Sequence, residues 1–278
     1  MATLRVLAFA KLNLVLRVVG RREDGYHLLQ SLFCAIDWAD ELELTSIPRG
    51  IELEAPAELG PPEGNLAYRA ARALLGEEGP GVRIVLKKHI PVGAGLGGGS
   101  ADAAAVLAGI NRLHGLGKSP EELVRVGAAL GADVPFFLGR SPAWVEGIGD
   151  RLTPLALALP FVFLVVVPPY PCPTAEVYRV YDALGIPFSP AGPPPGIPPF
   201  PNDLWPAAAH LRPALRELRR ILEEVPSLGV GLSGSGSALF LAFPSLAAAQ
   251  EAQRELRDKV EAHLRIARPV ARGYKILG

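Results

Sequence analysis

"PVGAGLGGGSADAA", residues 91–104, places five glycines within seven positions, then a serine and a run of small residues. Glycine reaches positive φ without strain, so consecutive N–H groups can converge on one point and hold an anion. The stretch before it, "GVRIVLKKHI" (81–90), reads as a strand, and "SADAAAVLAGINRLHG" (100–115) reads as a helix. A helix N-terminus at such a turn adds its dipole and its unpaired N–H groups. The expectation is a phosphate cradle. The bland alternative is a turn whose glycines serve close packing only.

The better-known glycine patterns do not fit. Gly93, Gly95 and Gly98 satisfy G-x-G-x-x-G, but the dinucleotide version needs an acid ending a second strand about 20 residues on. Here that region is "SPEELV" (119–124), a helix start. No lysine follows the glycines, which excludes the Walker loop. No G-x-S-x-G elbow surrounds Ser100 or Ser235, and the HRD and DFG triplets of protein kinases are missing. A second glycine turn, "GLSGSGSALF" (231–240), lies between two apolar segments and either forms an ordinary hairpin or closes the other side of the same site.

Composition narrows the class. With 28 basic and 28 acidic side chains the net charge is zero, which argues against a nucleic-acid partner. Mean hydropathy is +0.26, which argues against disorder. Cys34 and Cys172 stand far apart, and the histidines show no H-x-x-x-H spacing, so neither a disulfide framework nor a zinc site is expected. "LALALPFVFLVVVPP" (155–169) is too short and too rich in proline to span a bilayer. A cytoplasmic protein with no membrane partner is expected.

Along the chain, residues 4–19 and 31–47 read as strands. Asn65 caps a helix that Gly76 stops. Ser119, Pro120 and Glu122 form a capping-box start for another. In the second half, "FVFLVVV" (161–167) is a buried strand and "FSPAGPPPGIPPFPND" (188–203) a surface loop. "LWPAAAHLRPALRELRRILEEV" (204–225) is read as an amphipathic helix, and "SLAAAQEAQRELRDKVEAHL" (245–264) as a helix capped by Ser245. The mixture argues an α+β fold in two lobes, residues 1–150 carrying the glycine loop and 151–278 closing over the substrate. Lys11 interrupts an apolar strand and needs a buried partner. Asn13 shares its strand face. Asp133, before Pro135, reads on its own as a helix N-cap, and Ser100 as the cap of the "ADAAAV" helix.

Three segments, "AFAKLNLVLRV" (8–18), "PVGAGLGGGSADAA" and "GLSGSGSALF", resemble in order and spacing the three motifs of the GHMP kinases. These are small-molecule kinases with a non-Walker phosphate loop, and the resemblance covers essentially the whole chain. "RREDGYHLLQSLF" (21–33), the "GGGSADAA" form of the loop and "GADVPFFL" (131–138) resemble the branch whose acceptor is a cytidine-diphosphate-linked methylerythritol, a precursor of isoprenoids. Homoserine and mevalonate kinases carry a "GLGSSA" form instead. The resemblance implies a ribosomal-protein-S5-like first lobe and a ferredoxin-like second lobe, with ATP and Mg²⁺ as cofactors. It implies catalysis by Asp133 with Lys11 beside it, and a triphosphate cradle of Pro91, Val92, Gly93, Ala94, Gly95, Leu96, Gly97, Gly98, Gly99, Ser100 and Ala101. It implies substrate contacts from Asn13, from Tyr26 and His27 at the cytosine, and from Tyr178, with Tyr181 as its competitor. Thr174 and Asn202 are expected on the polar rim, Gly234 and Ser235 at the diphosphate, and Asn65 at the adenosine end or as a cap only. A non-catalytic nucleotide sensor is the rival from another class, and it would need the cradle but not the Lys11–Asp133 pair.

Overall fold

The computed structural model describes residues 2–76 and 79–277. The chain opens with two long antiparallel strands, β1 (Thr3–Arg21) and β2 (His27–Ile47). Their apolar, β-branched runs carry no proline, and three register shifts, at Phe9/Ala10, Asn13/Val15 and Val18/Gly20, bend the ribbon. The bend lets β1 serve three cores in turn. Val6 and Ala8 pack in the first lobe, Ala10, Leu12 and Leu14 between the lobes, and Leu16 and Val18 in the second.

β3 (Ile51–Glu54), β4 (Gly81–Lys87), β5 (Ala143–Gly147) and β6 (Arg151–Pro154) extend the first sheet, β4 and β5 flanking different halves of β2. Helices α1 (Leu66–Leu75), α2 (Gly98–Leu113), α3 (Pro120–Leu130) and α4 (Val134–Leu138) cover one face of it. The second sheet is antiparallel, ordered β10 (His263–Ala267), β7 (Val162–Val167), β9 (Leu239–Phe243), β8 (Gly229–Leu232). α5 (Thr174–Ala183), α6 (Trp205–Leu211) and α7 (Ala214–Glu223) connect β7 to β8, and α8 (Leu246–Leu256) connects β9 to β10. That βαββαβ order is the ferredoxin-like arrangement. The closing strand β11 (Tyr274–Leu277) returns to the first sheet beside β1, so the two sheets do not divide at one point in the chain.

The local signals hold where they are strongest. The Asn65 side chain accepts from Ala67 N at 2.9 Å, and Ser119 with Glu122 forms the reciprocal capping box that starts α3. Three expectations need correction. The helix read over 204–225 is two helices, because Pro213 offers no N–H and pushes Arg212 out of helical geometry, to φ −130° and ψ 85°. The helix capped by Ser245 ends at Leu256, and His263 and Leu264 belong to β10. The proline-rich stretch is not wholly a surface loop. It straps along the far half of β1, with Ser189 N bonded to Val18 O and Leu16 N to Pro201 O, and it buries Phe200 against Phe240.

Candidate active site

The cradle is built by the strand-to-helix junction after β4. Gly93, Gly95 and Gly97 all take positive φ, 71°, 78° and 71°. At Gly95 a Cβ would stand 2.2 Å from Ser233 O, and at Gly97 it would stand 2.8 Å from the Phe137 ring. The glycines therefore serve packing as well as conformation. Ala238 N donates to Ala94 O, the Ser233 hydroxyl to Gly95 O, and Lys11 N to Leu96 O, so both the second glycine turn and β1 pin the loop. Helix α2 begins at Gly98, with Gly97 at its N-cap, so Ser100 is a first-turn residue and not the cap expected. The first intrahelical bond is Ala101 N to Gly97 O. The N–H groups of Gly98, Gly99 and Ser100 precede it and so have no helical acceptors, and all three residues line the cleft described next.

A cleft of about 520 Å³ joins this cradle to the second glycine turn. Pro91 to Ser100, Lys11, Asn13, Asn65, Asp133, Thr174, Tyr178, Gly234 and Ser235 all line it. Lys11 is buried in β1 at 3% exposure, and its ammonium donates to Asn13 Oδ1 and lies 3.9 Å from Asp133 Oδ2. Burial pulls its pKa below the ordinary lysine value, and the Asp133 charge partly opposes that. Asp133 precedes α4, but its side chain makes no cap bond. The carboxylate, 33% exposed, is left to the cleft. Asn13 is engaged at both ends, its Nδ2 donating to Ser31 Oγ at 2.9 Å. Thr174 Oγ1 and Ser235 Oγ meet at 2.9 Å within the second lobe, joining the start of α5 to the second glycine turn.

Some expected residues stand apart from this wall. Ala101 is fully buried behind the cradle. Asn202 is spent on structure, its amide donating to Leu232 O and Gly234 O and accepting from Leu204 N. Tyr26 is 63% exposed on its turn. His27 stacks behind Tyr178, ring centroids 4.7 Å apart. Tyr181 is buried edge-on to His27, so of the two tyrosines Tyr178 faces the cleft.

Sequence reasoning missed a buried ion cluster beside the cradle. Lys88 Nζ donates to Asp102 Oδ2 at 2.8 Å and also to Asp40, whose Oδ1 accepts from His89 N and Ile90 N. Burial pushes Asp102 up to about 7 against the pull of Lys88. Burial also works against the Lys88 charge, but the two carboxylates outweigh it and raise its pKa. Asp102 Oδ1 is buried without a partner. The available signal was Asp102 inside the apolar "ADAAAVLAG" run, whereas Asp40 in "IDWADELEL" stands among other acids.

Residues 65–140 match the model of the GHMP kinase N-terminal domain, and residues 202–262 that of the GHMP kinase C-terminal domain. A protein of Citrifermentans bemidjiense named 4-diphosphocytidyl-2-C-methyl-D-erythritol kinase is 42% identical, over 92% of this chain and 95% of its own. The chain belongs to the GHMP kinase family. A crystal structure of 4-(cytidine 5'-diphospho)-2C-methyl-D-erythritol kinase superposes on this GHMP kinase with a TM-score of 0.81 and 40% identity, covering 95% of this chain and 98% of that one. Homoserine kinase from Cytophaga hutchinsonii shares the fold, with a TM-score of 0.74 at 18% identity over 100% of this chain and 98% of that one. The kinase is an ATP-dependent enzyme acting on a small molecule, and among its described residues no helix is long and apolar enough to cross a membrane.

Proposed function

We propose that this kinase transfers the γ-phosphate of ATP to the 2-hydroxyl of 4-diphosphocytidyl-2-C-methyl-D-erythritol, on the way to isoprenoid precursors in the cytoplasm. One observation carries the reading. A single cleft joins the glycine cradle, the Lys11–Asp133 pair and the Tyr178 ring, in a chain whose full-length relatives bear that substrate's name.

Asp133 takes the proton of the acceptor hydroxyl as its oxygen forms the bond to phosphorus, and the bond to the bridging oxygen breaks to release ADP. The Lys11 ammonium, 3.9 Å from that carboxylate, orients it. Asn13 holds Lys11 and leaves one lone pair of Oδ1 for a substrate hydroxyl. The N–H groups of the cradle and the α2 dipole bind the polyphosphate, so positioning and charge neutralisation supply most of the rate. Gly234, Ser235 and Thr174 border the diphosphate side, Asn65 the nucleoside side, and Tyr178 with Tyr26 supplies aromatic faces for cytosine.

Mg²⁺ takes oxygen ligands. The unpartnered Asp102 Oδ1 and the Ser100 hydroxyl fit it, both on the first turns of the helix that leaves the cradle. When bound it would neutralise phosphate charge.

The test is ADP release with Mg·ATP and, separately, the cytidylyl polyol, homoserine and mevalonate. Turnover with the cytidylyl substrate alone is expected, and turnover with another alcohol in its place overturns the substrate. Asp133→Asn is expected to keep substrate binding and to lose about 10²–10⁴-fold in kcat, the usual worth of a general base. Near-normal turnover removes Asp133 from that role.

A further inference from the structure

Behind the ring that faces the cleft lies an arrangement the reaction does not by itself require. Tyr178, Tyr181 and Asp182 fall on one face of α5, at spacings of three and four residues. Together they box the imidazole of His27, whose side chain is only 7% exposed. Tyr178 stacks on it at 4.7 Å with the planes 23° apart, and Tyr181 meets it edge-on at 5.8 Å. Asp182 Oδ1 lies 2.7 Å from His27 Nε2. A carboxylate only accepts, so Nε2 carries the proton and the ring is held in one orientation. The other oxygen, Oδ2, lies 3.3 Å from Arg21 Nη1, and Arg21 Nε donates to Gly25 O at 3.1 Å. One arginine thus ties the carboxylate to the turn that carries Tyr26.

We infer that Asp182 is a positioning residue of the base subsite: it clamps His27 flat against Tyr178 and so fixes the aromatic face on which the base stacks. The inference rests on the reading of the cleft as a cytidylyl site. A ring free to rotate about its last torsion makes a poor stacking wall, because ordering it on binding costs side-chain entropy. Here that ordering is already complete through α5, β2 and the end of β1. Asp182 touches neither the cleft nor the reacting atoms, and it acts through His27.

The experiment measures steady-state kinetics of the full chain with the cytidylyl polyol and with the same polyol phosphate lacking the cytidine. Asp182→Ala is expected to raise KM for the cytidylyl substrate about tenfold, the worth of a hydrogen bond to a charged group. Saturating kcat and KM for ATP should stay within about twofold. Asp182→Asn, whose amide oxygen still accepts from Nε2, should recover most of the loss. In a His27→Ala background, adding Asp182→Ala should change nothing further, because the two act as a unit. An unchanged KM in Asp182→Ala, or additive effects of the two substitutions, overturns the clamp. Should the alanine variant not fold, Asp182→Glu carries the same test: its displaced oxygens should raise KM, and an unchanged value overturns the clamp. Wild-type kinetics that discriminate the cytidine while Asp182→Ala has no effect sink the clamp alone. Wild-type kinetics indifferent to the cytidine sink the cytidylyl reading and the clamp with it.

Discussion

Lys11 holds its charge almost wholly buried, at the wall of the cleft. Its pKa is drawn down by burial, with Asp133 as the opposing influence, so the folded chain stabilises the ammonium less well than solvent does. Below the folded pKa the lysine is charged in both states and the penalty is complete. As pH rises toward 10.5, the ordinary value for lysine, the native state releases its proton first and the penalty shrinks. Lys11→Met is therefore expected to abolish turnover while leaving Tm equal to or above wild type near neutral pH, with the gap narrowing in alkali. Circular-dichroism melts from pH 6 to pH 10 alongside ADP release check this. A lowered Tm at neutral pH would mean that the bonds to Asn13 and Asp133 outweigh burial.

At the scale of elements, the cradle loop is rigid because its glycines are contact points. Gly95→Ala would set a methyl 2.2 Å from Ser233 O at a φ of +78°. Overpacking and the left-handed conformation together predict a loss of about 2–4 kcal/mol, read by urea denaturation. Gly99, whose added Cβ would meet only Leu66 at 3.7 Å, is expected to accept alanine without loss of stability. This loop was legible in the sequence because its signal is local: strand, glycines, helix within one short stretch. The capping box at Ser119 and the hairpin around Gly234 were legible for the same reason. The start of α2 was misplaced by two residues, because a left-handed glycine N-cap leaves no capping side chain to read. The Lys88–Asp40–Asp102 cluster was not legible, since Asp40 of β2, Lys88 just past β4 and Asp102 of α2 meet only when those elements pack. Asp133 reads locally as a cap, and only its family resemblance and then the absence of a cap bond, with Lys11 3.9 Å away, point elsewhere.

For the whole molecule, the lobes are joined by apolar packing as well as by chain. Phe163, Phe200 and Phe240 meet Leu12 and Leu14 of β1 in a buried layer between the sheets. A layer of that kind resists hinge opening and makes unfolding one event. Phe240→Ala is expected to cost about 3–5 kcal/mol and to split the single calorimetric transition into two. A single transition that merely moves to lower temperature would mean the lobes stay coupled through β1 alone.

The return of β11 to the edge of β1 has a consequence for how the chain is made. A ribosome delivers β1 well before its outer neighbour β11, and the whole ferredoxin-like lobe is threaded out between them and can fold. Through that interval the strand bearing Lys11 is an open edge, ready to pair with a passing chain. The nascent protein thus completes its second lobe before its first, and the outer edge of β1 is sealed only after the ferredoxin-like lobe has been translated.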